Sequence, residues 1–145
     1  MTLFYDLFRH DPDLTHVEEG DFLFCEGDEG NGRMYVLISG RVSIMVGGVV
    51  VEEARVGAIL GEMALIEPGA QRSASVQADT DCGFVVIDEK RLQYLITEMP
   101  RFAIEVMRVL ARRLRKADQT MTEMETSNHM AWRVALPSDH LDPEV

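Results

Sequence analysis

Between Thr15 and Asp88 the apolar residues recur with a period of two, and glycines interrupt the pattern at short intervals. No helical domain tolerates that pattern, so it limits the central fold to short β-strands. The alternation predicts strands over residues 21–25, 34–38, 41–46, 49–51, 73–78 and 82–87, with 54–56 continuing the sheet. Gly47-Gly48 is a two-residue hairpin turn between the third and fourth of these. Gly27, Gly40 and Gly57 close other strands, and their conformational freedom suits turns and bulges rather than chemistry. About eight short strands of this kind predict an antiparallel jelly-roll β-barrel, a double-stranded β-helix, over residues 15–88.

The period lengthens outside this region. Leu3, Phe4, Leu7 and Phe8 form one apolar helical face that ends at Asp11-Pro12-Asp13. Asp88 is placed to cap a short helix running to Met99, with Leu92, Leu95 and Ile96 on its apolar face. Pro100 opens a longer helix at a position where its missing N–H costs nothing. Ala103, Met107, Leu110, Leu114, Ala117, Met121 and Met124 follow in alternating steps of four and three, a heptad seam. Arg108, Arg112, Arg113, Arg115 and Lys116 make the same helix locally basic, as a solvated face does. The reading is thus a mainly β domain with flanking helices over residues 1–125. A polar tail follows over 126–145, holding an apolar island around the single tryptophan, Trp132.

Composition narrows the function. The 145 residues suffice for one domain. A formal net charge of −11 argues against a nucleic-acid footprint. Cys25 and Cys82 both fall in strand-like apolar stretches and read as buried free thiols in a reducing compartment. No stretch approaches the roughly 18 apolar residues of a membrane span, and the N-terminus lacks the pattern of a signal peptide. A cytoplasmic protein is expected. His10, His16, His129 and His140 are scattered, with none at metal-ligand spacing, so no metal is expected. No nucleophile–base pair is recognisable, and an enzyme is not expected.

Residues 61–78, GEMALIEPGAQRSASVQA, carry the chemistry. Gly61-Glu62 opens a short apolar helical turn, Met63-Ala64-Leu65-Ile66, broken at Pro68-Gly69. A helix start offers backbone N–H groups to an anion. Arg72, about ten residues on, can fold back and grip the same anion in a bidentate fork. Glu62 suits that company only if it meets a hydroxyl, and an acid on a sugar hydroxyl beside a phosphate site is a nucleotide-binding arrangement.

The pattern Gly-Glu-x-Ala-Leu followed by Arg-Ser-Ala resembles the phosphate-binding cassette of cyclic nucleotide-binding domains, most closely the catabolite activator protein branch of bacteria. Gly61, Arg72 and Ser73 keep that branch's spacing without a gap. Gly27-Asp28, Met34-Tyr35-Val36-Leu37, Gly40 and Gly57 resemble the family's earlier signatures, and Leu60 stands where the family often has phenylalanine. The resemblance covers about residues 15–125 and implies a cyclic mononucleotide ligand, cAMP or alternatively cGMP. It implies that Arg72, Ser73 and the Ala64 backbone hold the phosphate, and that Glu62 and Gly61 meet the ribose, with Met63 and Ala74 completing the cassette. Ile44 and Val51 would wall the ribose and base, and Arg113 and Ala117 would approach from the long helix. Arg113 would pair with Glu62. Where the branch offers Thr-Ser to adenine, this chain has Ala117-Asp118, which leaves the base open. The long helix would form a homodimer through residues 103–124, or fold over the ligand as a lid. The branch's DNA-binding domain is not expected after residue 125. The function implied is a stand-alone sensor acting on an effector protein, the alternative being an interaction module with an unused pocket or a different nucleotide.

Overall fold

A computed structural model of the protein describes residues 2–135, with side chains described for residues 2–119. Among these the chain makes the strands β1 Thr15–Val17, β2 Phe22–Phe24, β3 Arg33–Ser39, β4 Val42–Val46, β5 Val49–Ala54, β6 Ile59–Leu60, β7 Ser75–Ala78 and β8 Cys82–Asp88. Pairing is antiparallel and nested: β1 with β8, β2 with β7, β3 with β6 and β4 with β5. Pairing from the outside inward makes the chain one long antiparallel ribbon. Folding that ribbon over itself sends alternate pairs to opposite layers. The result is two four-stranded sheets, ordered β1-β8-β3-β6 and β2-β7-β4-β5.

This is the expected jelly roll, but the expected barrel closure is absent, and each sheet keeps two edge strands. The edges β1, β2 and β6 are only two or three residues long, too short to carry a ladder from one layer to the other. Other boundaries move as well. The sheet continues to Ala54 but not over Arg55 and Val56, because Ala58 N–H donates to Arg55 O at 3.1 Å and Gly57 adopts φ +91°, turning the chain into β6. β7 starts at Ser75, so Ser73 and Ala74 lie outside the ladder.

Leu37, Val42, Ala54, Leu60, Val76, Ala78, Cys82 and Phe84 come from both sheets and form one buried cluster. On β3, Val36, Leu37 and Ile38 are buried in succession, as are residues 82–85 on β8. Consecutive burial requires cover on both faces of that sheet. The α1 helix, Leu3–Phe8, packs on β3 and supplies part of the second cover. Its Thr2 cap accepts from Tyr5 N–H at 3.2 Å and donates to Gly57 O at 3.1 Å. Phe4 and Phe8 meet the fully buried Phe102 edge-on, at centroid distances of 5.4 and 6.4 Å.

Asp88 caps α3, Glu89–Glu98, by accepting from Arg91 N–H at 2.8 Å. The Arg91 guanidinium reaches back to Asp11 at 2.8 Å and holds that carboxyl below its usual range. The α3 face is only partly covered: Leu92 and Leu95 are half-buried and Ile96 is exposed. The α4 helix begins at Pro100 and continues through Ala135, so helical backbone extends past residue 125, where a tail was expected. The side chains of Met121, Met124 and Trp132 lie outside the described ones. The chain divides into two units, Met1–Ala103 and Ile104–Val145. In the second, Met107 and Leu114 are exposed and Arg108 pairs with Glu105 at 2.6 Å. Among the described residues no helix is long and apolar enough to cross a membrane, and no group of three potential metal ligands clusters.

Both cysteines are free thiols, but only Cys82 is buried. Cys25 is exposed, contrary to the expectation from its apolar neighbours. β2 stops at Phe24, and Cys25 opens a surface turn in which its N–H donates to Asp28 Oδ2 at 3.0 Å.

The single turn α2, Met63–Ile66, rests directly on the loop before β3. A Cβ on Gly30 would stand 2.5 Å from Ala64 Cβ and 2.8 Å from Ala70 O. Gly30→Ala should therefore destabilise the protein by about 1–3 kcal/mol, seen as a lower urea midpoint, because backbone and a packed methyl must both move. Phe102→Ala should cost about 3–5 kcal/mol by the same measurement, since it empties the centre of the aromatic cluster.

Candidate functional site

Three polar or charged residues are buried among the described ones: Ser43, Glu62 and Arg72. Ser43 is satisfied by the Asp79 carboxylate at 2.8–2.9 Å. The other two belong to the 61–78 stretch. Burying charge without use is costly, so these two mark the site.

Arg72 is held by three backbone oxygens from two segments, the turn into β3 and the start of the 61–78 stretch. Its Nη1 donates to Arg33 O at 2.9 Å and to Gly61 O at 3.1 Å, and its Nη2 donates to Gly30 O at 2.7 Å. The Phe24 ring lies 4.2 Å from Cζ, and the Tyr35 ring 5.8 Å. A guanidinium has five N–H groups. The three bonds leave that of Nε and one on Nη2, and Nε is buried with no hydrogen-bond partner. Burial lowers the Arg72 pKa from the ordinary arginine value, with Tyr35, Asp28 and Glu62 acting in the opposite direction. The group nevertheless stays charged at neutral pH.

Arg72 also anchors the loop between β2 and β3 through its backbone. Its N–H donates to Asp28 O at 2.7 Å, and its carbonyl accepts from Gly27 N–H at 2.9 Å. Gly30 N–H donates to Ala70 O at 3.2 Å, and Glu29 bridges Gln71. Gly61 is required where it stands, with φ +73° and a Cβ direction filled by Arg72 Nη1.

The structure therefore joins Gly61 to Arg72 and buries Glu62 and Ala64 beside them. Ser73 is exposed just outside β7, Ala74 is half-buried, and Met63 is exposed. The Ala64 N–H, expected as a phosphate donor, is engaged by Gly61 O at 3.2 Å within the α2 turn. Ile44 is half-buried on β4, opposite Val76 and Glu52. Val51 is exposed, at the irregularity where Ile44 pairs with Glu52 but Met45 with Val50. Arg113, half-buried, and Ala117, exposed, belong to the second unit. Sequence reasoning did not assign Phe24, Gly30 or the Arg33 carbonyl to the site. The glycine-rich run Gly27–Gly32 was the available signal, and it reads equally as a plain turn.

A family model described as cyclic nucleotide-binding domain matches residues 14–99. A CRP-like cAMP-activated global transcriptional regulator of Mycobacterium tuberculosis is 30% identical over 113 residues, covering 72% of this chain and 48% of the relative. A Pycsar effector protein of Xanthomonas perforans is 29% identical over 110 residues, covering 76% and 36%. Among solved structures, the catabolite activator protein of Thermus thermophilus superposes with a TM-score of 0.73 at 26% identity, covering 86% of this chain and 60% of that one. This chain thus spans half or less of these curated relatives. The family match covers more than half of the chain, and the relatives share its two-sheet fold or its sequence: the protein belongs to the cyclic nucleotide-binding domain family.

Proposed function

We propose that this chain is a sensor module that binds a cyclic mononucleotide, cAMP in preference to cGMP, and acts on a partner protein rather than catalysing a reaction. The observation that carries this is Arg72: a buried cation whose plane is already set, with one buried N–H unpartnered and a second on the neighbouring nitrogen. Two such donors match two oxygens of a cyclic phosphate monoanion. The exposed Ser73 adds a hydroxyl and a backbone N–H at the same end. Glu62 accepts from the ribose 2′-hydroxyl, with the Gly61 backbone beside it, and the Met63, Ala64 and Ala74 backbones close the cassette. Ile44 and Val51 line the ribose and base. The name of the mycobacterial relative, a cAMP-activated regulator, supports cAMP as the ligand. Residues 103–124 form a parallel helix pair in a homodimer, supported by the exposed Met107 and Leu114 at heptad positions. Two free thiols fit a cytoplasmic setting.

Charge-assisted hydrogen bonds to the phosphate contribute about 1.5–3 kcal/mol each. Arg72→Lys keeps the charge but loses the fork, so calorimetry should show cAMP binding weakened by more than about tenfold, in a variant whose melting curve confirms folding. Unchanged affinity would remove Arg72 from the site. Parallel titration of cGMP decides the base preference. In light scattering, Leu114→Glu should shift a dimer to monomer; a wild-type chain that is already monomeric would rule out the helix pair.

A further inference from the structure

We propose that Phe24 is a positioning residue for the ligand arginine: its ring fixes the tilt of the Arg72 guanidinium and so the direction of the N–H groups left for the phosphate. This rests on the reading of the cassette as a cyclic nucleotide site. The starting observation is an irregularity in β2. Phe22 pairs with Gln77 and Phe24 with Val76, two steps on one strand against one on the other. In a regular strand Leu23 and Phe24 would point to opposite faces. Here both are half-buried and both pack against the cluster between the sheets. The bulge has re-aimed a side chain, as bulges do beside functional sites.

What the re-aimed ring meets is the guanidinium, at 4.2 Å from Cζ. The carbonyls of Gly30, Arg33 and Gly61 hold Arg72 at its nitrogens. Hydrogen bonds to carbonyl oxygens accept a broad range of angles, so they resist sliding better than tilting. With Cζ over its face, the aromatic ring favours a guanidinium lying flat against it and so opposes the tilt that the carbonyls leave open. Gly61 makes the stack possible, because a Cβ there would meet Arg72 Nη1 and stand 3.2 Å from the Phe24 ring. Tyr35 lies beside Phe24, at 6.0 Å between centroids, and supports the ring from β3.

A plain core role would make any apolar residue of similar size equivalent, and that is the test. Calorimetry with cAMP on the whole chain compares Phe24→Leu, Phe24→Tyr, Arg72→Lys and the Phe24→Leu/Arg72→Lys double variant. Phe24→Leu should weaken binding by about five- to tenfold, and Phe24→Tyr should restore it to within about twofold. In the Arg72→Lys background Phe24→Leu should cost nothing further, because the planar group it orients is gone. Without ligand, Phe24→Leu should move the Arg72 Nε–H resonance through loss of the ring current. Wild-type affinity in Phe24→Leu, or an equal loss in the Arg72→Lys background, overturns the proposal while leaving the nucleotide site standing. A wild-type chain that binds neither cAMP nor cGMP, with the Nε–H resonance still moved by Phe24→Leu, overturns the nucleotide reading and leaves the stack in place.

Discussion

Arg72 is a buried cation, and the domain around it is arranged to make that burial tolerable. A lone charge taken from water costs several kcal/mol, and an unpaired one would be expelled or neutralised. Arginine cannot neutralise, so the chain must bring it acceptors. It brings three backbone carbonyls, from Gly30, Arg33 and Gly61, and the face of Phe24. Carbonyl dipoles do this without adding a countercharge in direct contact. That matters for the proposed anion site, because a carboxylate paired with Arg72 would have to be displaced first.

These partners lie far apart along the chain. Gly30 and Arg33 are 42 and 39 residues from Arg72. The nested strand pairing makes them neighbours. β2 and β7 pair, so the loop after β2 runs beside the segment leading into β7. The backbone bonds of Gly27 and Asp28 with Arg72, and of Gly30 with Ala70, continue that pairing past the ends of the strands. Gly30 lets α2 lie close, and Gly61 lets the guanidinium lie close. Each glycine is needed because something else occupies the place of its missing Cβ.

The consequence for function is preorganisation. Loop and arginine are ordered by contacts within the unit Met1–Ala103, so in the proposed site the donors are aimed without help from a ligand. The same contacts make Arg72 a structural residue as well as the proposed ligand residue. Loss of binding on its removal therefore has meaning only in a variant shown to be folded, which is why a lysine is more informative there than an alanine.

Much of this was legible in the sequence. Period-two alternation marked most strands because each has one face in the cluster between the sheets. The Asp88 cap and the proline start of α4 follow from local backbone chemistry that needs no tertiary context. The spacing of Gly61, Glu62, Arg72 and Ser73 identified the cassette and the family. The two-residue β6 was not legible, since a strand that short has no period, nor was the exposure of Cys25, which depends on where a turn begins. Nor could the sequence tell that both sheets stay open. Above all, it could not show what holds Arg72. Backbone carbonyls carry no residue identity, and the bulge that turns Phe24 onto the guanidinium exists only as a mismatch between two strands. The sequence by itself determined the family and singled out Gly61, Glu62 and Arg72 as one candidate group; the tertiary structure decided what surrounds Arg72 and how it is held, because that depends on pairing register and on close approaches that no single stretch of chain encodes.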